Sequence, residues 1–230
     1  MSCLRDIELV ICDCDGTLAD SLAAITETFA QVLAAHGLPP IDRRVVQRYV
    51  GLPLHVLFDD LLPGLSPDER HALRLDYRRR YPQVASGRTP LFDGVRVALA
   101  AIQDRGLRLA MATGKSLAGA RRFLSEETLE GTFEALRCAD TAARPKPHRD
   151  MVEEILRETG VEAHAAVMVG DTPFDIQMGH DAGVITCGVA TGGFTATELA
   201  AYGPTLLLPC FTDLVAELPA GRGTAGDTTV

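Results

Sequence analysis

The sequence predicts an α/β fold: a doubly wound parallel sheet with an inserted α-helical block. Three observations carry this prediction. Short, almost wholly apolar runs recur along the chain and alternate with amphipathic stretches of helical period. That alternation is the signature of parallel strands covered by helices on both faces. Between about residues 18 and 88 the alternation stops, and only helical patterns remain.

Each element has a local reason. Residues 7–12 are almost wholly apolar and read as a buried strand, and Gly16 supplies a turn after it. Residues 20–37 read as an amphipathic helix, capped by Asp20 or Ser21 and stopped by Gly37. Pro39 and Pro40 break the chain, and helical stretches follow at 42–50, 53–62 and 66–85. Past Pro90 the alternation resumes. A helix at 94–105 ends at Gly106 and leads to a strand at 107–112. Helices at 116–125 and 147–159 precede a strand at 165–169, and a helix follows at 173–182. Strands at 184–189 and 205–208 and a helix at 211–217 complete the pattern. The expected division is a core of 1–17 and 88–218, a helical cap domain of 18–87, and a frayed Gly-, Thr- and Ala-rich tail of 219–230.

Composition narrows the class. At 230 residues and 47% hydrophobic, the chain can bury a sizeable core. A net charge of −9 speaks against nucleic acid or a membrane surface as partner, and Arg78-Arg79-Arg80 reads as a solvated helix face. No run reaches membrane-spanning length, and Arg5, Asp6 and Glu8 interrupt any signal-peptide pattern. The six cysteines (Cys3, Cys12, Cys14, Cys138, Cys187 and Cys210) form no C-x-x-C pair. Buried, reduced thiols in a cytoplasmic protein are expected, without a zinc site. Only two of the 22 basic residues are lysine, Lys115 and Lys146.

The chemistry sits at strand ends. Asp13 and Asp15 lie two residues apart just beyond the first strand, so their side chains share one pocket. Two anions that close need a cation or a shared proton. Three further elements join them: Thr113-Gly114-Lys115 after a strand, Arg144-Pro145-Lys146-Pro147 before a helix, and Gly170-Asp171 through Asp175 after another strand. In doubly wound sheets, sites form beyond the carboxyl ends of the strands. Asp13, Asp15, Asp171 and Asp175 together call for a hard divalent cation, and Mg²⁺ suits few carboxylates plus phosphate oxygens. Lys146 adds positive charge, Thr113 a hydroxyl, and Gly114 an unobstructed N–H for phosphate oxygens. The set reads as a phosphoryl-transfer site.

In this order, the D-x-D-G-T-L-x-D-S opening, the Thr-Gly strand end, the Lys-Pro segment and the G-D-x-x-x-D element resemble the haloacid dehalogenase (HAD) superfamily, with its Rossmann-like core. The helical insertion looks like the type 1 cap of phosphoglycolate phosphatase-like members. The resemblance implies Asp13 as nucleophile, forming an aspartyl-phosphate, and Asp15 as acid and base. It implies Mg²⁺ held by Asp13, the Asp15 carbonyl and Asp171, with Asp175 beside the metal or Lys146. Thr113, Gly114 and Lys146 would bind the phosphate. Lys115 reads as solvated, and His148, Asp150 and His180 as helix-end or surface groups. Asp15 argues against a dehalogenase, and the lysine-free cap against a Schiff-base phosphonatase. Arg48, in Arg48-Tyr49-Val50-Gly51, is the candidate to pair with a substrate carboxylate. The expectation is therefore a Mg²⁺-dependent hydrolase of a small phosphomonoester, 2-phosphoglycolate first, as monomer or homodimer. A phosphoglucomutase-like mutase and a non-catalytic metal-binding module are the alternatives.

Overall fold

A computed structural model of the chain describes residues 4–220. Cys3 and most of the expected tail lie outside the described residues. Strand β1 (Leu9–Cys12) is followed by helices α1 (Leu22–Ala35), α2 (Arg43–Gln47), α3 (Leu54–Leu61) and α4 (Pro67–Ala85). Strands and helices then alternate: α5 (Val95–Asp104), β2 (Arg108–Thr113), α6 (Leu117–Glu126), β3 (Ala135–Cys138), α7 (Asp150–Thr159), β4 (Ala166–Gly170), α8 (Pro173–Asp181), β5 (Ile185–Val189), α9 (Ala196–Ala200), β6 (Leu206–Leu208) and α10 (Leu214–Glu217).

The six strands form one sheet in the order β3-β2-β1-β4-β5-β6, and every pairing is parallel. The chain runs outward from β1 through β2 to β3, then returns to the other side of β1 as β4. The strand order therefore reverses at β1, and a crevice opens beyond its carboxyl end. Side-chain alternation divides the core. Leu9, Ile11, Ala110, Ala112 and Met168 pack with Met151, Val152 and Ile155 of α7. Val10, Cys12, Leu109, Met111 and Val169 pack with Leu99 and Ile102 of α5 and with Phe123 of α6. Burial on both faces is why these strands read as continuous apolar runs.

Two elements were absent from the sequence expectation. β3 is short and carries Arg137, whose guanidinium reaches Glu154 and Glu158 rather than the core. Its charge hid the strand pattern. Helix α9 has five residues, held by a capping box of Thr195 and Glu198. Among the described residues, no helix is long and apolar enough to cross a membrane.

The helical block has a core of its own, built from Phe29, Val32, Leu33, Leu57, Phe58, Leu73 and Tyr77 among others. Its longest helix, α4, starts on Ser66-Pro67-Asp68-Glu69, where Ser66 and Glu69 close a capping box and Pro67 occupies the first turn. The block's two connections to the sheet run side by side. Ala19 bridges Leu91, the Asp20 amide donates to the Pro90 carbonyl at 2.9 Å, and the Phe92 amide to the Leu18 carbonyl at 2.9 Å.

Phe58 is fully buried at the centre of this second core, with ring centroids 5.0 Å from Phe29 and 6.1 Å from Tyr77. Phe58→Ala is expected to cost about 3–5 kcal/mol in urea unfolding, through lost transfer energy plus a cavity. A loss below about 1 kcal/mol would show that the block is loosely packed.

Candidate active site

Asp13 follows β1 directly, and its amide donates to the Val169 carbonyl of β4 at 2.9 Å. The pairing of β1 with β4 thereby fixes the backbone that presents its carboxylate. Gly16, at φ +83°, then turns the chain back so that the Leu18 and Ala19 amides both reach the Cys14 carbonyl at 2.9 Å. Asp171 follows β4, and Thr17 donates to its Oδ1 at 2.7 Å. Lys146 is fully buried, with Nζ 2.7 Å from Asp13 Oδ1 and 2.6 Å from Asp175 Oδ1. Asp175 Oδ2 accepts from the Thr172 amide at 3.1 Å and from its hydroxyl at 2.6 Å. The Gly170–Asp175 segment is thus both the start of α8 and one wall of the site: Thr172 caps the helix, Pro173 opens it, and the capping partner Asp175 turns its other oxygen to Lys146.

Several expectations change. Lys115 is not solvated: its Nζ lies 2.6 Å from Asp15 Oδ1. Ser21 precedes α1 but makes no side-chain cap, because its hydroxyl donates to the same Asp15 oxygen. Thr113 is buried, and its hydroxyl accepts from the Lys115 amide at 3.3 Å. Gly114 lies in the turn ahead of α6, not at its first residue, and a Cβ there would strike the Gly51 carbonyl. The loop of the helical block rests directly on the strand end. Arg48 is turned elsewhere: its guanidinium pairs with Glu198 at 2.7 Å and lies 3.6 Å over the Phe194 ring. Opposite charge and an aromatic face engage it on the sheet side of the contact. Of the groups read as bland, Asp150 pairs with Arg144 at 2.8 Å and His180 meets the Thr186 hydroxyl at 3.0 Å. Arg79 and Arg80 pair with Asp76. Cys12 and Cys14 are buried free thiols that burial pushes well above the ordinary range, as suits packing rather than reaction.

The electrostatics leave a specific deficit. Four buried carboxylates, Asp13, Asp15, Asp171 and Asp175, face two lysines, Lys115 and Lys146. With all four ionised, two negative charges would stay uncompensated, which is the charge of one divalent cation. Burial, opposed by Lys146 and reinforced by Asp175, pushes Asp13 up to about 7. Burial and then Asp13 push Asp171 well above the carboxylate range. Burial works against the charge on Lys146, but Asp13 and Asp175 hold it charged above its ordinary range. Asp13 Oδ2 and Asp171 Oδ2 are buried without a hydrogen-bond partner. Carboxylate oxygens of Asp13, Asp171 and Asp175 fall within 4.8 Å of one another. Orphaned anionic oxygens converging from an all-oxygen donor set fit a hard cation. With both Asp175 oxygens already engaged, Asp13 and Asp171 are the better-placed ligands.

Beside Asp15 and Lys115 opens a cavity of about 560 Å³ between the helical block and the sheet. Tyr49, Leu54, Leu57, Tyr77 and Tyr81 face it from the block, and Arg122 from α6. Asp15 lines this space, and Asp13 does not.

Comparisons with known proteins identify the family and the fold. A family model described as haloacid dehalogenase-like hydrolase matches residues 10–189. The chain is 34% identical over 210 residues to a protein of Dickeya dadantii described as a probable phosphatase, IndB, covering 90% of this chain and 91% of that one. It is 30% identical over 214 residues to a phosphoglycolate phosphatase of Rhodospirillum rubrum, covering 89% of this chain and 88% of that one. A solved haloacid dehalogenase-like hydrolase structure from Bacteroides fragilis superposes with a TM-score of 0.86 at 24% identity, over 90% of this chain and 99% of that one.

Gly192 tests the cation site without replacing a ligand. A Cβ there would collide with Asp171 Oδ2. Gly192→Ala is expected to weaken Mg²⁺ binding by about tenfold or more in calorimetry, while circular dichroism stays unchanged. Undiminished affinity would mean that Asp171 does not face the ion.

Proposed function

Because the chain belongs to the haloacid dehalogenase-like hydrolase family, we propose that it is a Mg²⁺-dependent phosphatase that cleaves a small phosphomonoester through an aspartyl-phosphate. The observation that carries this reading is the orphaned pair of oxygens on Asp13 and Asp171, two charges short of balance, beside a carboxylate held by Lys115 and Ser21.

Asp13 is the nucleophile. One of its oxygens attacks phosphorus, and the bond from phosphorus to the substrate's alcohol oxygen breaks. Asp15 donates its proton to the departing alkoxide, then takes a proton from the water that hydrolyses the aspartyl-phosphate. Inorganic phosphate leaves, and the Asp13 carboxylate is restored. Lys115 and Ser21 hold Asp15 by the same oxygen, leaving its other oxygen to exchange protons. Lys146 holds Asp13 in position and offers positive charge to the phosphoryl oxygens. Thr113 and the Gly114 amide complete the phosphate cradle. Asp13, the Asp15 carbonyl and Asp171 would hold Mg²⁺, whose charge would let an anionic nucleophile approach an anionic phosphate.

2-Phosphoglycolate is the reference substrate, on the strength of the Rhodospirillum rubrum relative. A hexose phosphate mutase is less well supported, because the walls facing Asp15 are chiefly apolar side chains where a sugar needs hydroxyl partners. Among the described residues, no helix is long and apolar enough to span a membrane, and a soluble cytoplasmic setting fits the free thiols.

Phosphate release from a panel of phosphomonoesters is expected with Mg²⁺, with loss on chelation and recovery on adding Mg²⁺ back. Asp13→Asn is expected to lower kcat by at least about a thousandfold with the fold retained. Turnover that survives either chelation or Asp13→Asn would sink the mechanism.

A further inference from the structure

The cavity beside Asp15 is much larger than the alcohol half of 2-phosphoglycolate, a two-carbon acid. At about 560 Å³ it falls within the roughly 300–1,000 Å³ range of pockets that enclose drug-sized ligands. Its walls also have the wrong chemistry for a small acid. Arg48 lies outside the lining and pairs with Glu198 against the Phe194 ring. Lys115 is spent on Asp15. The other cationic groups at the walls, Arg78, Arg122 and His55, sit on exposed or half-exposed positions toward the outside.

The side nearest the helical block is aromatic. Tyr77 and Tyr81 stack at 5.6 Å with an interplanar angle of 11°. The Arg122 guanidinium lies 5.6 Å from the Tyr81 centroid, and the Lys115 ammonium 5.5 Å from it. Tyr49 contributes a third phenol, and Leu54 and Leu57 close the apolar side. Flat rings pack well against tyrosine faces and guanidinium planes, and gain from leaving water. Asp15 borders the same space, so the oxygen that it protonates belongs to a group pointing into the cavity.

We propose that the substrate's alcohol carries an aromatic or heteroaromatic ring, which occupies the cavity walled by Tyr49, Tyr77 and Tyr81. This rests on the phosphomonoesterase reading above and names its substrate class. Arg122, Arg78 and His55 then meet polar substituents at the ring's outer edge. The helical block selects the ring, and the strand ends carry out the phosphoryl transfer.

The test compares ethyl phosphate, 2-phosphoglycolate and 2-phenylethyl phosphate. The ethyl and phenylethyl esters release alcohols of similar acidity, so they differ chiefly in what fills the cavity. With Mg²⁺, kcat/KM for 2-phenylethyl phosphate is expected to exceed both others by about tenfold or more. Calorimetry on Asp13→Asn with Mg²⁺ is expected to show the same order in Kd. Ala118→Trp, at an exposed position on the cavity wall, is expected to cut the phenylethyl-to-ethyl ratio at least about fivefold in both measurements. Equal or reversed preference in both measurements overturns the ring proposal while leaving the phosphatase standing. Ring-selective binding that Ala118→Trp removes, with no ester hydrolysed, upholds the ring proposal and overturns the phosphatase reading.

Discussion

The structure is organised around one buried charge imbalance. Four carboxylates converge where β1 meets β4, and the chain's only two lysines are both spent on them. Buried charge at this density is strongly unfavourable unless paired, because the interior screens poorly and the lost hydration must be replaced. Lys146 meets this by bridging Asp13 and Asp175 at full burial. Lys115 does the same for Asp15. The remaining deficit makes the pocket an acceptor for a hard cation. The same crowding explains the local glycines. At Gly16, Gly170 and Gly192 a Cβ would press on Asp171 or Asp175, so the carboxylates converge only because those positions carry no side chain.

How much of this was legible in the sequence depends on the distance over which each cause acts. β1, β2, β4 and β5 are covered on both faces, so their apolar runs announce them. Asp13, Asp15, Asp171 and Asp175 stood out because their spacing follows strand ends and a helix cap, both local patterns, and Lys146 through its Lys-Pro segment and the family resemblance. Ser21, six residues from Asp15, was read as a cap because it stands where a helix begins, and Lys115 as solvated because it meets Asp15 across 100 residues. Arg48 was read as a candidate carboxylate partner because its segment resembles a site-facing cap loop; its pairing with Glu198, 150 residues further on, has no local signal. β3 was lost to the charge on Arg137, which makes a strand look like a loop when its neutralising glutamates lie on the following helix.

The helical block meets the sheet through backbone and small residues rather than a broad apolar face. The Gly51 carbonyl lies against Gly114, and the Gln47 carbonyl lies 2.9 Å from where a Cβ on Gly193 would stand. Arg48 adds a charged and aromatic contact at the rim, where the exposure of both ion-pair partners limits its worth. The block instead spends its apolar side chains on its own core around Phe58 and on the walls of the cavity. Contact and recognition are therefore carried by different residues. In the proposed reaction the phosphate end would be bounded by groups fixed in the sheet, and the alcohol end by groups fixed in the helices.

The paired connections at Ala19–Leu91 and Asp20–Pro90 have an evolutionary corollary. An insertion whose two ends enter and leave together behaves as a cassette. It can be lengthened, shortened or exchanged without altering strand order or the spacing of Asp13, Lys146 and Asp171. New specificities can then arise by replacing the cassette while the reaction chemistry is inherited intact. In such a lineage the residues at the strand ends would date the common ancestor, and the tyrosines of the cavity would date the divergence of this branch.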